Sequence, residues 1–199
     1  MNLFKTYIDA TVSYPFFSSD DIETILELYP NIPSLGVPYG RFGDMVWPSL
    51  GLQWRRAASI VGDITIIAPA RWMSEILSNT SAVYKYRFNV TNPLAGFPDY
   101  DGSAHGDEVN YVWNWPDLRA YSPESSKVVD VMAKTWVSFF VDLTPNNHGL
   151  EDVPIWEPYS SNTEGENFVI EIDSIDTEVD NFRKEGIDLI NKVKVTTSM

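Results

Sequence analysis

Two histidines are all that this sequence offers for proton transfer near neutral pH, where imidazole is the side chain of fitting pKa. His148 stands in TPNNHGL, a polar turn after a predicted helix, and is read as a solvated surface residue. His105 stands in SAHGDEV, between Ala104 and Gly106, whose small side chains leave the ring reachable. On that context alone it is either a proton carrier or an ordinary hydrogen-bonded surface histidine. A metal site would use His105, Asp107 and Glu108. A third strong ligand is missing, and neighbours in an extended segment point to opposite sides, so no metal is expected. A carboxylate pair for glycoside cleavage could be drawn from Asp99, Asp101, Asp107 and Glu108, but among 28 acidic residues such closeness selects nothing. Neither Gly-x-Gly-x-x-Gly nor Gly-x-x-x-x-Gly-Lys occurs, so no phosphate cradle and no cofactor are expected. Ser-His-acid catalysis needs a serine on a sharp Gly-x-Ser-x-Gly turn. The nearest approach, Trp47-Pro48-Ser49-Leu50-Gly51, has an indole where that turn needs glycine, so these 199 residues hold no complete triad.

Behind the histidine, composition describes a packed protein. The chain is 44% hydrophobic and 14% aromatic, which excludes disorder as its main state. Its net charge of −14 repels phosphate backbones and anionic lipid, so nucleic-acid and membrane-surface partners are not expected. With no cysteine there is no disulfide, thiolate chemistry or Cys-ligated zinc. The most apolar run, residues 64–70, is short and interrupted by Pro69, so no bilayer span is expected. The opening MNLFKTYIDATVSYPFF is broken by Lys5, Thr6 and Asp9 and does not read as a secretory leader. By itself the chain looks cytosolic. Two glycosylation triplets, Asn79-Thr80-Ser81 and Asn89-Val90-Thr91, point the other way, although such triplets also arise by chance.

The elements that must hold His105 can be read from periodicity. Ser18 and Ser19 before acidic residues open a helix over 20–29 with Ile22, Ile25, Leu26 and Tyr29 on one face. Pro30 and Pro33 end it, and NIPSLGVPYGRFGDMVWP is loop. Helices are predicted over 49–59 and, after a break near Gly62, from Pro69 to about Leu77. Residues 81–90 alternate Tyr84, Tyr86, Phe88 and Val90 with Val83, Lys85, Arg87 and Asn89, the period of a strand. The loop that follows carries or precedes Phe97, Tyr100, Tyr111, Trp113 and Trp115, and a loop of that length is a natural place for a site. Ser122 caps a helix with Pro123 in its first turn and Val128, Val129, Met132, Trp136, Phe139 and Phe140 as an apolar stripe. Residues 168–172 form a second strand. Thr177 with Asp180 resembles a capping box for a last helix carrying Val179, Phe182, Ile187, Ile190 and Val193. Five helices and about two strands leave a sheet that cannot bury its faces, so either further strands escape this reading or the partner strands lie outside these residues.

At His105 the sequence resembles a known family. FPDYDGSAHGDEVNYVW is similar to the histidine segment of the type-B carboxylesterases and lipases, the cholinesterase-like branch of the α/β-hydrolase fold. There a Gly/Ala-rich loop leads to His-Gly-x-Glu and an apolar-aromatic run. His105, Gly106 and Glu108 match that pattern, and Tyr111-Val112-Trp113 stands at the family's aromatic-Val-Phe. In the same order, Gly62-Asp63 with Pro69-Ala70-Arg71 resembles the family's Asp…Pro-x-Arg helix region. Residues 83–88 resemble the strand before the histidine loop, and Trp136-x-x-Phe139 with Pro145-Asn146 resembles a late-helix signature. Asp180-Asn181-Phe182-Arg183 is similar to the tails of secreted fungal lipases and esterases. Trp156-Glu157-Pro158-Tyr159 departs, with its proline one place later than the usual Trp-Pro-x-Tyr.

The resemblance implies the α/β class: the C-terminal part of an α/β-hydrolase fold, helix-rich, with an incomplete central sheet. Residues 1–199 read as one partial domain, 1–45 an irregular leading segment with a short helix and 46–199 the histidine-bearing region. The family's nucleophilic serine, oxyanion glycines and acid lie upstream of the matched region, and the triad order Ser, acid, His agrees with that. His105 is implied to be the triad base and acid, and Glu108 a structural support. Trp113 and Trp115 are implied to line a pocket for a small-molecule or lipid ester, and Asp63 and Arg71 to pair across a helix start. The parent enzyme is expected to be secreted and the chain alone inactive. It is also expected to self-associate through uncovered apolar surface. The alternative is a non-catalytic cholinesterase-like binding or adhesion module; retention of His105 favours the catalytic ancestor.

Overall fold

The computed structural model describes residues 17–94, 102–160 and 164–197, with side chains through Val193. The expectations on Phe97, Asp99, Tyr100 and Asp101 fall outside the described residues. The chain divides into two compact units, Met1–Met73 with Phe182–Met199, and Ser74–Asn181.

The first unit begins with α1, Ser19–Leu28, one residue from its expected start. The Ser18 hydroxyl accepts from the Asp21 N–H at 3.1 Å, and the Asp21 carboxylate accepts from the Ser18 N–H at 2.9 Å, a reciprocal cap for two otherwise orphaned donors. At the other end Arg56 donates to the carbonyls of Leu26 and Tyr29, so the last turn needs no basic residue of its own. Ile22, Ile25 and Tyr29 pack with Ile60, Ile64, Ala68, Ile187 and Ile190 into one apolar core.

The second helix starts later than the sequence suggests. Residues 47–51 are drawn into tight turns, with Leu50 N–H on Trp47 O and Gly51 N–H on Pro48 O. Gly51, at φ +98°, turns the chain away from a helical path, so α2 is Trp54–Gly62 rather than 49–59. The break expected near Gly62 is absent. The chain passes through a π turn, Asp63–Ile67, into α3, Ala68–Leu77. Pro69 gives the reason: a proline there would clash with the carbonyl four residues back in a regular helix, and the wider turn, closed by Ala68 N–H on Asp63 O, makes room for it.

Buried Arg55 orders the Pro- and Gly-rich loop before α2. Its guanidinium reaches six backbone carbonyls, those of Gly36, Val37, Pro38, Arg41, Gly43 and Met45, at 2.6–3.3 Å. A planar fork of five donors can serve so many acceptors, whereas an ammonium with three donors cannot. Arg55→Lys should therefore cost about 3 kcal/mol, with several carbonyls left unpaired. Urea unfolding checks this, and amide exchange should quicken first in residues 36–45.

The second unit holds a three-stranded sheet in the order β1-β2-β3: β1 Tyr86–Asn89, β2 Glu166–Glu171 and β3 Ile175–Val179. β1 runs parallel to β2 with Tyr86 opposite Phe168, and β2 runs antiparallel to β3 with Phe168 opposite Thr177. The expected strand over 81–90 is regular only at Tyr86–Asn89, although Val83 O and Lys85 O still accept from Tyr159 N–H and Phe168 N–H. The sheet has three strands where about two were expected, the additional one being β3, which takes the place of the capping box expected at Thr177 and Asp180. Asp180, the acid that suggested a helix start, is held by a basic partner instead, as is its neighbour Glu178 in β3. Arg87 grips Glu178 at 2.7 Å, and Lys85 lies 2.8 Å from the buried Asp180 carboxylate, which also accepts from Tyr159 and Asn167. The last helix begins only at Lys184, leaving Val179 in β3 and Phe182 ahead of the helix. Among the described residues β1 has a strand neighbour on one side alone, and the sheet is incomplete.

Three helices, α4 Val109–Val112, α5 Pro116–Tyr121 and α6 Pro123–Asp142, complete this unit. Ser122 caps α6 by accepting from Ser125 N–H, as its sequence predicts. Trp156 stacks on Phe168, with centroids 4.6 Å apart at 10°, and meets the rings of Trp136, Tyr84 and Tyr86. Asn146 pins the Trp156 backbone from both sides, accepting from its N–H at 2.8 Å and donating to its carbonyl at 3.0 Å. Val128, Val129 and Met132 are buried, but the stripe fails toward the end of α6. Phe140 is 77% exposed and Val141 73%, with Leu143 beyond the helix at 75%.

Candidate histidine site

His105 sits at the apex of a tight turn and not in the extended segment that its sequence suggested. The turn is made locally. Asp107 Oδ2 accepts from the Ala104 N–H at 2.8 Å, the Asp107 N–H returns to Ala104 O at 3.2 Å, and Val109 N–H bonds Gly106 O. Gly106 takes φ +90°, a conformation that a side chain would strain. The chain then enters α4, where the Tyr111 and Val112 N–H groups bond Glu108 O. Asp107 is buried beneath the turn while His105 is exposed above it. An Asp three residues after the amide that it caps is a turn signal legible in sequence, and the role of Asp107 as the clamp was missed.

Glu108 is half-buried at the start of α4. Its charge reaches the Tyr86 hydroxyl, whose pKa is pushed up to about 12, first by burial and then by Glu108. Both causes disfavour the phenolate, so the folded state holds this proton more tightly than the unfolded chain does. The stability so contributed is complete below pH 10 and disappears as pH rises toward 12. Absorbance titration at alkaline pH should show this late phenol, and Tyr86→Phe should remove both it and part of the alkaline loss of stability.

The other histidine differs. His148 is half-buried, its Nδ1 accepts the Leu150 N–H at 2.9 Å, and burial followed by the Lys134 charge lowers its pKa. It is a turn-stabilising ring rather than the solvated one that its sequence suggested. Trp113 and Trp115 both follow α4, in the link to α5, and are 77% and 47% exposed. Among the described residues no group of three or more His, Cys, Asp or Glu stands together to hold a metal ion. No described helix is long and apolar enough to cross a membrane.

Asp63 and Arg71 belong to the first unit, and both are buried. Asp63 is held by Arg183 and Tyr29, which the sequence reading had placed in a tail motif and on an apolar helix face. Arg183 Nη2 donates to Oδ1 at 2.9 Å, Arg183 Nε lies 2.8 Å from Oδ2, and the Tyr29 hydroxyl donates to Oδ2 at 2.7 Å. Burial pushes the Asp63 carboxyl up, against the pull of Arg183, the Tyr29 hydroxyl and Arg71. Arg71 donates to Phe182 O at 3.0 Å, and the Arg183 guanidinium lies 4.2 Å over the Phe182 ring. The cluster joins positions more than a hundred residues apart, which no local spacing could reveal.

Comparison with known proteins places residues 53–188 in a match to the carboxylesterase family. Over 180 residues the chain is 27% identical to Lipase 4 of Diutina rugosa, a match that covers 89% of this chain and 29% of that protein. It is 29% identical over 91 residues to bile salt-activated lipase of Homo sapiens, covering 44% of this chain and 12% of the lipase. It is 30% identical over 84 residues to acetylcholinesterase-1 of Trittame loki, covering 40% and 15%. The chain thus spans less than a third of the length of each of these relatives.

Proposed function

Because the chain belongs to the carboxylesterase family, we propose that it is the histidine-bearing C-terminal portion of a serine carboxylic-ester hydrolase, with His105 as the proton carrier. The observation that supports this reading is the exposed ring of His105 on a turn fixed from below by Asp107, while the other histidine has spent its acceptor nitrogen on a backbone amide. In this role Nε2 of His105 takes the serine proton as the hydroxyl oxygen attacks the ester carbonyl. The imidazolium then returns that proton to the leaving alcohol, and a second cycle with water frees the acid. A carboxylate on Nδ1–H would fix the tautomer. Serine, carboxylate and oxyanion donors would come from sequence outside these 199 residues.

Glu108 supports the turn rather than the reaction in this reading, and Trp113 and Trp115 supply apolar surface for a small-molecule or lipid ester. The parent enzyme is secreted. The apolar end of α6 is the surface through which isolated chains self-associate. The chain alone is inactive, because an imidazole without nucleophile and oxyanion donors has nothing to activate. Treated with p-nitrophenyl esters and a fluorophosphonate probe, it should show no turnover and no labelled serine. A specifically labelled serine would overturn the reading.

A further inference from the structure

The two glycosylation triplets occupy unlike surroundings, and from that difference we infer that Asn79 is an N-linked glycan acceptor and that Asn89 is not. The inference rests on the secretory route proposed above. Asn79, Thr80 and Ser81 are exposed in the turn that follows α3, where an acceptor triplet can be reached and bent. Among the described residues the Asn79 side chain donates to two carbonyls of the helix before it, Glu75 O at 2.9 Å and Ile76 O at 3.2 Å.

Glycan transfer forms a bond from Asn Nδ2 to the sugar C1 and breaks the C1–O bond to a lipid-linked diphosphate, which leaves. One amide proton goes to the transferase's base. The product amide keeps one N–H, enough for the shorter of the two bonds, so the folded turn accommodates the sugar. Attached there, the glycan lies beside Ile76 and Leu77, which are 47% and 44% exposed, and shields them from water.

Asn89 has no such freedom. It lies in β1 with its backbone in register with Glu171, and its half-buried side chain donates to Glu171 Oε1 at 2.7 Å. Val90, the middle residue of its triplet, is 2% exposed. The one N–H left to a glycosylated Asn89 would have to reach Glu171 past a sugar set among half-buried and buried neighbours, and the sugar would crowd the β1–β2 pair, so a chain carrying one does not reach the folded state.

The full chain, secreted from yeast behind an added leader, tests this. Peptide-N-glycosidase treatment in heavy-oxygen water followed by mass spectrometry should mark Asn79 and leave Asn89 unmarked. The glycan's mass shift should persist in Asn89→Gln and disappear in both Asn79→Gln and Ser81→Ala, the last of which leaves the Asn79 amide untouched. An unmodified Asn79, or a marked Asn89 in soluble protein, overturns the assignment. If the leader-driven chain carries the glycan at Asn79 while the chain from its own source carries none, the site stands and the secretory reading fails.

Discussion

Replacing Asp63 with alanine should cost the folded chain about 3–5 kcal/mol, because the change strips the partner from a buried cation. Arg183 keeps only 15% of its side-chain surface and Asp63 1%, so water cannot take over the lost contact. The Tyr29 hydroxyl loses its acceptor at the same time. Tyr29→Phe removes a single hydrogen bond and should cost about 1 kcal/mol, which separates the ion pair from the phenol. Burial raises the Asp63 pKa against the pull of Arg183, so the folded chain takes up this proton more readily than the unfolded one, and mild acid favours the folded state at this group. Acid unfolding therefore should not begin here. Urea titrations of both variants at neutral and mildly acidic pH provide the test, and a loss below about 1 kcal/mol for Asp63→Ala would refute the cluster's importance.

The second large effect concerns catalysis. In a chimera in which residues 53–188 replace the matching stretch of Lipase 4, His105→Ala should lower kcat/KM for a p-nitrophenyl ester on the order of 10⁴-fold or more. The same change should alter stability by no more than about 0.5 kcal/mol, since the ring is exposed. A proton carrier is costly to catalysis and cheap to folding. A structural histidine would reverse the two.

What the sequence made legible follows what is local. Ser18 with Asp21, Ser122 with Pro123 and the apolar faces of α1 and α6 are written within a few residues of one another, and each element appears where periodicity and caps place it. The incomplete sheet and the exposed end of α6 also agree with the shortage of strands. What escaped is non-local. β3 was hidden because Thr177 with Asp180 looks like a helix-start capping box until Lys85, some ninety residues earlier, neutralises the Asp180 carboxylate. The π turn at Asp63 was hidden because Pro69 signals a break and gives no hint that a widened turn can carry the helix past it. At the histidine, the residue types were visible and the geometry was not. His-Gly-x-Glu read as extended, yet Gly106 and Asp107 fold it into a turn that lifts His105 outward.

Imidazole rescue tests the central claim most directly. Ester turnover by the His105→Ala chimera should be negligible in plain buffer and should climb with added imidazole, while the His148→Ala chimera stays active and indifferent to it. Full activity in the His105→Ala chimera without imidazole would contradict the assignment of His105 as the proton carrier.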